Sequence, residues 1–160
     1  MTAHATIDDA LALAVEKFHG VIDKAGEPYI LHLIRVMLQQ TDDAARQVAV
    51  LHDLVEDTAV TLDELSELGF ADSVVTAIDA LTHRAEENYE DYVFRVAECS
   101  MAKRVKLADL GDNYRLDRVA YRAKHQHEDA QRMQRYVLSH QFLSGLIDAD
   151  TYRACMHHIS

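Results

Sequence analysis

An all-α fold is predicted by three features of the sequence. Helix breakers are scarce: 160 residues contain one proline, Pro28, and five glycines, so long stretches can run helical without interruption. Apolar residues recur at three- and four-residue spacing, as Leu11, Val15 and Phe18 do in the first such segment, which is the period of a helix with one buried face. Start signals punctuate these segments, most clearly Thr61-Leu62-Asp63-Glu64, a capping-box pattern.

Taken in order, Ile7 to His19 reads as the first helix and Gly20 as its stop. Asp23-Lys24-Ala25-Gly26-Glu27-Pro28 reads as a loop, with Pro28 starting a helix through Tyr29, Ile30, Leu33, Ile34 and Leu38. Asp42 and Asp43 open a helix from Ala44 to about Asp57, and Thr61 caps a short one that ends at Leu68 before Gly69. Further helices are expected over Ser73 to Leu81, Asn88 to Glu98 and Met101 to Leu110. Glu128 to Ile147 is a long one with Met133, Val137, Leu138 and Phe142 apolar, and Asp148 or Asp150 caps a last helix to Ile159. No repeat or linker interrupts the pattern, so residues 1–160 are expected to form one compact multi-helix domain.

Composition narrows the function. At 49% hydrophobic and 27% charged residues the chain has an ordinary globular make-up. A net charge of -11 opposes binding to nucleic-acid backbones, which need clustered cations. Cys99 and Cys155 match no zinc or paired redox spacing and are expected to be buried free thiols. The amino terminus lacks the basic start and apolar core of a leader, and no apolar run nears the ~20 residues that cross a bilayer. A cytoplasmic protein without membrane contact is the expectation; no pattern bears on oligomeric state.

The chemistry-bearing segment is Val48 to Thr58, an apolar stretch that abruptly carries His52-Asp53 and then Glu56-Asp57. On a helix the second pair stacks one turn beyond the first. An imidazole and a carboxylate converging on one point suit a divalent cation, and the second acidic pair is placed to orient or deprotonate water. Two further polar residues sit among core residues: His32 within Tyr29-Ile30-Leu31-His32-Leu33-Ile34, and Asp109 within Val105-Lys106-Leu107-Ala108-Asp109-Leu110. Asn113 follows Asp109 by one turn. His32, His52, Asp53 and Asp109 form a nitrogen-and-oxygen set that fits Mn²⁺, Fe²⁺ or Zn²⁺ better than Mg²⁺ or Ca²⁺.

These blocks, in this order, resemble the HD superfamily of metal-dependent phosphohydrolases. More narrowly, Phe18-His19-Gly20, Lys24 to His32, Leu51 to Thr58 and Val105 to Asp109 are similar to the hydrolase domain of RelA/SpoT-type guanosine tetraphosphate (ppGpp) enzymes, and most like the small single-domain members. The resemblance implies an all-helical fold with Mn²⁺ held by His32, His52, Asp53 and Asp109. It gives Glu56 and Asp57 the task of positioning and activating the attacking water. It further implies a nucleotide substrate contacted by Lys24, Tyr29, Asn113, Arg132 and Tyr136, the last two spaced i,i+4 on the long late helix. The implied reaction is 3′-pyrophosphate removal from ppGpp, with another nucleotide phosphoester or a non-catalytic nucleotide sensor as alternatives. At this length the synthetase domain of bifunctional relatives is expected to be absent.

Departures from the family pattern fall on the nucleotide side. Asp23 stands where larger members carry an arginine that packs on guanine; an acidic group cannot make that cation–π contact and would repel a nearby phosphate. Leu110-Gly111-Asp112-Asn113 replaces Arg-Leu-His-Asn, and Leu33 replaces a proline after the first histidine. Other polar clusters read as ordinary surface: Glu16-Lys17-Phe18-His19, His157-His158, and the basic run Lys103, Arg104 and Lys106 as a solvated helix face; Tyr89 and Tyr92 near Glu90-Asp91 fit a substrate-side loop and plain helix packing equally well.

Overall fold

The computed structural model describes residues 4–118 and 122–159; the first three residues of the segment read for a leader lie outside them. The described residues form ten α-helices and one 3-10 turn, the all-α class expected from the sequence. In chain order they are α1 (Ile7–Lys17), α2 (Ile30–Leu38), α3 (Asp43–Leu51), α4 (Leu54–Asp57), α5 (Leu62–Glu67), α6 (Asp72–Leu81), α7 (Tyr89–Glu98), α8 (Ser100–Asn113), α9 (Gln126–Leu143) and α10 (Ala149–Met156). The 3-10 turn, Ala123–His125, leads into α9.

Side-chain caps fix most helix starts. Thr6 and Asp9 form a capping box on α1, Thr61 and Glu64 form one on α5, and Asp42, Asn88 and Asp148 each accept a backbone N–H of the helix that follows. Each such cap stabilises its helix by about 1 kcal/mol. The middle of the molecule is α3, where Ala45, Val48, Ala49, Val50 and Leu51 are all fully buried. A helix apolar on nearly every side belongs inside the protein, and α3 accordingly packs against α1, α2, α6 and α8. Helix α8 in turn touches α2, α3, α6, α7 and α9. The polar residues of α2, of the α3–α4 junction and of α8 are thereby brought to one place.

Several expectations are corrected. The helix expected from Ala44 to Asp57 is broken at His52-Asp53. There the His52 imidazole takes the Ala49 carbonyl at 2.8 Å, an acceptor that the Asp53 N–H uses in an unbroken helix, and the Asp53 backbone turns aside (φ -98°, ψ -1°) before α4 begins. Neighbours on a helix diverge by about 100°; the break lets the two side chains meet. The helix expected to stop at Leu110 continues to Asn113, because buried Asp112 is anchored rather than solvated. The late helix ends at Leu143, not Ile147, since Gly145 takes a left-handed conformation (φ 78°) that terminates it. Cys99 and Cys155 are free but only partly buried.

Candidate metal centre and cleft

His32 lies on the buried face of α2, Asp109 on that of α8, and His52-Asp53 at the α3–α4 junction. Both imidazoles and Asp109 are nearly inaccessible to solvent. The His32 Nε2 is 3.2 Å from Asp109 Oδ1 and 3.9 Å from Asp53 Oδ2. The His52 Nε2 is 3.0 Å from Asp53 Oδ2 and 3.6 Å from Asp109 Oδ1. Donor atoms bound at about 2.1 Å to one first-row cation keep spacings of ~3.0–3.4 Å from their neighbours. His32, His52 and Asp109 offer ligand atoms close enough together to hold a metal ion, and Asp53 faces the same point.

The tautomers agree with that use. The His52 Nδ1–H donates to the Ala49 carbonyl at 2.8 Å, and the His32 Nδ1–H donates to Asp112 Oδ2 at 2.7 Å. Each Nε2 lone pair is therefore turned inward, in the carboxylate–imidazole arrangement that orients metal-ligating histidines. His52 Nε2 is buried and makes no hydrogen bond among the described residues, which fits a metal-ligand atom. Electrostatics point the same way. Burial opposes the imidazolium at both histidines, yet Asp109 with Asp112 at His32, and Asp53 with Asp109 at His52, outweigh it and raise both pKa values. The cluster demands positive charge.

The carboxylates are held by further donors, Lys106 on the Asp109 oxygen turned away from the histidines, and Tyr29 and Asn113 on the oxygens that face them. Tyr29 Oη donates to Asp53 Oδ2 at 2.5 Å, Lys106 Nζ to Asp109 Oδ2 at 2.8 Å and Asn113 Nδ2 to Asp109 Oδ1 at 2.6 Å. Burial and the Asp53 charge push the Tyr29 hydroxyl far up, so it stays a donor. Lys106, expected on a solvated face, instead turns inward. Burial works against its ammonium, but the Asp109 carboxylate holds the charge in place, and its Nζ lies 5.3 Å from the centre of the Tyr92 ring. Lys106 is thus a site residue that sequence reasoning missed; its i,i+3 spacing to Asp109 was the available signal.

Asp112 was also missed. Completely buried behind His32, it accepts from Arg35 Nε at 2.8 Å and from Arg118 as well as from the imidazole. Burial raises its carboxyl, but His32 and Arg35 outweigh that and leave it at about 2. Arg118 ties the same carboxylate to Asp23, whose other oxygen accepts the backbone N–H groups of Ala25 and Glu27, each at 2.9 Å. Asp23 is therefore charge-paired and folded into its own loop, which offsets the repulsion expected toward a nearby phosphate. An arginine ninety-five residues away supplies the balancing charge.

A cleft of about 680 Å³ opens over this cluster. Asp53 and Asp109 line it, as do all the remaining site residues expected from the sequence: Glu56, Asp57, Lys24, Tyr29, Asn113, Arg132 and Tyr136. His32 and His52 lie behind its wall. Glu56 accepts the His83 backbone N–H at 3.0 Å. Desolvation, with repulsion from Asp53 and Glu56, raises the Asp57 carboxyl, which suits a proton acceptor near neutral pH. On another side Lys24, Arg122 and Arg132 are close enough that burial and the two guanidinium charges lower the Lys24 pKa. Asp129 holds Arg122 and Arg132 in place. Of the surface clusters, His19 and His157 are exposed and outside the cleft, whereas Tyr89 and Tyr92 line it.

The fold has counterparts among known proteins. A guanosine-3′,5′-bis(diphosphate) 3′-pyrophosphohydrolase from Aquifex aeolicus is 34% identical over 119 residues, 67% of this chain and 17% of that protein. A GTP pyrophosphokinase from Myxococcus xanthus is 29% identical over 127 residues, 68% of this chain and 17% of that protein. The chain belongs to the RelA/SpoT-type HD-domain family. It spans about a sixth of the length of these relatives. The solved structure of a metazoan SpoT ortholog, itself described as hydrolysing ppGpp and acting in starvation responses, superposes with a TM-score of 0.69. That likeness is at 22% identity, covers 99% of this chain and 96% of the other, and establishes a shared fold. No family model matches the chain. Within the family, the departures noted from the sequence now have structural places: Asp112 backs a histidine, and Asp23 closes a loop.

Proposed function

We propose that the protein is a divalent-metal-dependent phosphohydrolase acting on a nucleotide, with 3′-pyrophosphate removal from ppGpp as its leading activity and Mn²⁺ as its cation. His32, His52, Asp53 and Asp109 would hold the ion. The observation that carries this reading is the buried, unpartnered His52 Nε2 facing three other donor groups at the base of a nucleotide-sized cleft. The printed activity of the Aquifex relative supports the substrate.

The bound ion would lower the pKa of water toward ~7 and polarise a phosphoryl oxygen. Asp57 accepts the proton from the attacking water, and Glu56, fixed by the His83 N–H, orients it. Lys24 and Arg132 meet the substrate's other phosphate groups. Tyr29 and Asn113 keep the Asp53 and Asp109 oxygens aimed inward while leaving room for the nucleotide. Water adds to phosphorus as the bond to the ribose 3′ oxygen breaks, releasing pyrophosphate and a 5′-diphosphate.

The test is pyrophosphate release from ppGpp by the full chain with Mn²⁺, before and after chelation. Release that disappears on chelation and returns with Mn²⁺ is expected. A folded, metal-loaded protein that leaves ppGpp intact loses the ppGpp assignment, and inertness toward every nucleotide phosphoester sinks the enzyme reading. The pairing of Asp23 with Arg118 favours one second reading, hydrolysis of another nucleotide, because position 23 itself offers no arginine for guanine to stack upon.

A further inference from the structure

Among the described residues, the cleft wall contains three buried polar atoms with no hydrogen-bond partner that the mechanism above leaves unused: His83 Nε2, Tyr89 Oη and Arg118 Nε, the last with a Glu27 carboxylate oxygen 3.6 Å away. A buried donor left unsatisfied destabilises a fold, and such exceptions in a native structure call for an explanation. His52 Nε2 is accounted for by the cation, and Gln40 Oε1 lies away from the cleft. Most other polar side chains of the cleft are already committed: Tyr29 to Asp53, Lys106 and Asn113 to Asp109, and Arg132 to Asp129.

His83 and Tyr89 share one backing. The His83 ring stands edge-on to Tyr92, centroids 5.2 Å apart at 76°, and the Tyr89 ring lies 5.8 Å from the same tyrosine. Tyr92 itself donates its hydroxyl to the Leu81 carbonyl at 2.8 Å, so it packs but does not pair with either neighbour. Arg135 lies over the Tyr89 ring at 5.7 Å and steadies it. The His83 backbone N–H is bound to Glu56, and His83, Glu56 and Asp57 line the same cleft.

We propose that His83 and Tyr89 form a phosphoryl-oxygen subsite: Nε2–H and Oη–H each donate to a phosphate group of the bound substrate next to Glu56 and Asp57. A phosphate supplies acceptors to both donors at once, whereas a further cation would leave both unsatisfied. A ring N–H and a hydroxyl stabilise charge on phosphoryl oxygens beside the two carboxylates that handle water. The identity of the anion rests on the phosphohydrolase reading; the existence of the subsite does not.

Three variants of the full chain, loaded with Mn²⁺, test it with inorganic pyrophosphate as the probe. Tyr89→Phe removes only the hydroxyl, His83→Leu removes the donor, and His83→Gln returns an amide N–H near the Nε2 position. Calorimetric pyrophosphate affinity is expected to fall about 10-fold or more in Tyr89→Phe and His83→Leu and to recover most of that loss in His83→Gln. Wild-type affinity in both of the first two overturns the subsite, and an equal loss in His83→Gln and His83→Leu overturns the donor role of His83. A wild-type protein that binds pyrophosphate through these residues yet turns over no nucleotide sinks the enzyme reading alone.

Discussion

At the buried end of the cleft, every group facing the centre is held by a partner. His52 is pinned by the Ala49 carbonyl, His32 by Asp112, Asp53 by Tyr29 and Asp109 by Lys106 and Asn113. Toward solvent the pattern differs: Lys24 is exposed on a loop, and Arg132 reaches the cleft as a long side chain steadied by one ion pair with Asp129. The first region trades desolvation for geometry, since a metal tolerates little displacement of its donors. The second keeps conformational freedom and relies on charge, which acts over several ångströms. Chemistry is fixed at one end, and substrate is gathered at the other.

The largest expected effects probe the fixed end. His52→Ala or Asp109→Ala should each strip the metal and lower turnover on the order of 10³-fold or more; full metal content in both, by atomic absorption, contradicts the ligand assignment. The double variant Glu56→Gln, Asp57→Asn should keep its metal and lose ~10²–10⁴-fold in turnover, and unchanged rates would favour a sensing module. Asp112→Asn, one layer further back, should weaken metal binding ~10–100-fold, read by competition with a chelating dye. If it binds metal like the wild type, the pinning of His32 is dispensable.

At the solvent end, Lys24→Ala or Arg132→Ala should raise KM about 10-fold with kcat nearly unchanged; a collapse of kcat instead would erase the contrast between the two regions. The smallest effect is on stability. Asp23→Asn breaks the charge balance with Arg118 and should destabilise the fold by about 1 kcal/mol in denaturant melts. Burial opposes ionisation of Asp23, but the Glu27 N–H, Arg118 and the Ala25 N–H outweigh it and lower its pKa. Its stabilising contribution is therefore complete above about pH 4 and fades as pH falls through the folded value. The variant's deficit should shrink in acid.

Much of this was legible before any coordinates, for a specific reason. A charged residue inside an apolar run costs too much to be accidental, so His32, His52-Asp53 and Asp109 announce themselves. Caps at Thr61, Asp42 and Asn88 are local hydrogen-bond chemistry and sit where the pattern puts them. The break at His52 was not legible, because an apolar run at helical spacing gives no sign that a side chain will claim a backbone carbonyl. Lys106 and Asp112 read as a surface charge and a helix-end acid until α2, α7 and α8 close around them.

What the sequence alone determined is the helical class, the cap positions and the set of polar residues out of place in the core, all consequences of period and composition over short spans. The tertiary structure alone decided which partners answer them: Asp112 behind His32, Arg118 against Asp23, and His83 beside Glu56. Those pairs are separated by 80, 95 and 27 residues, and no local pattern encodes a meeting that only the packing of distant helices brings about.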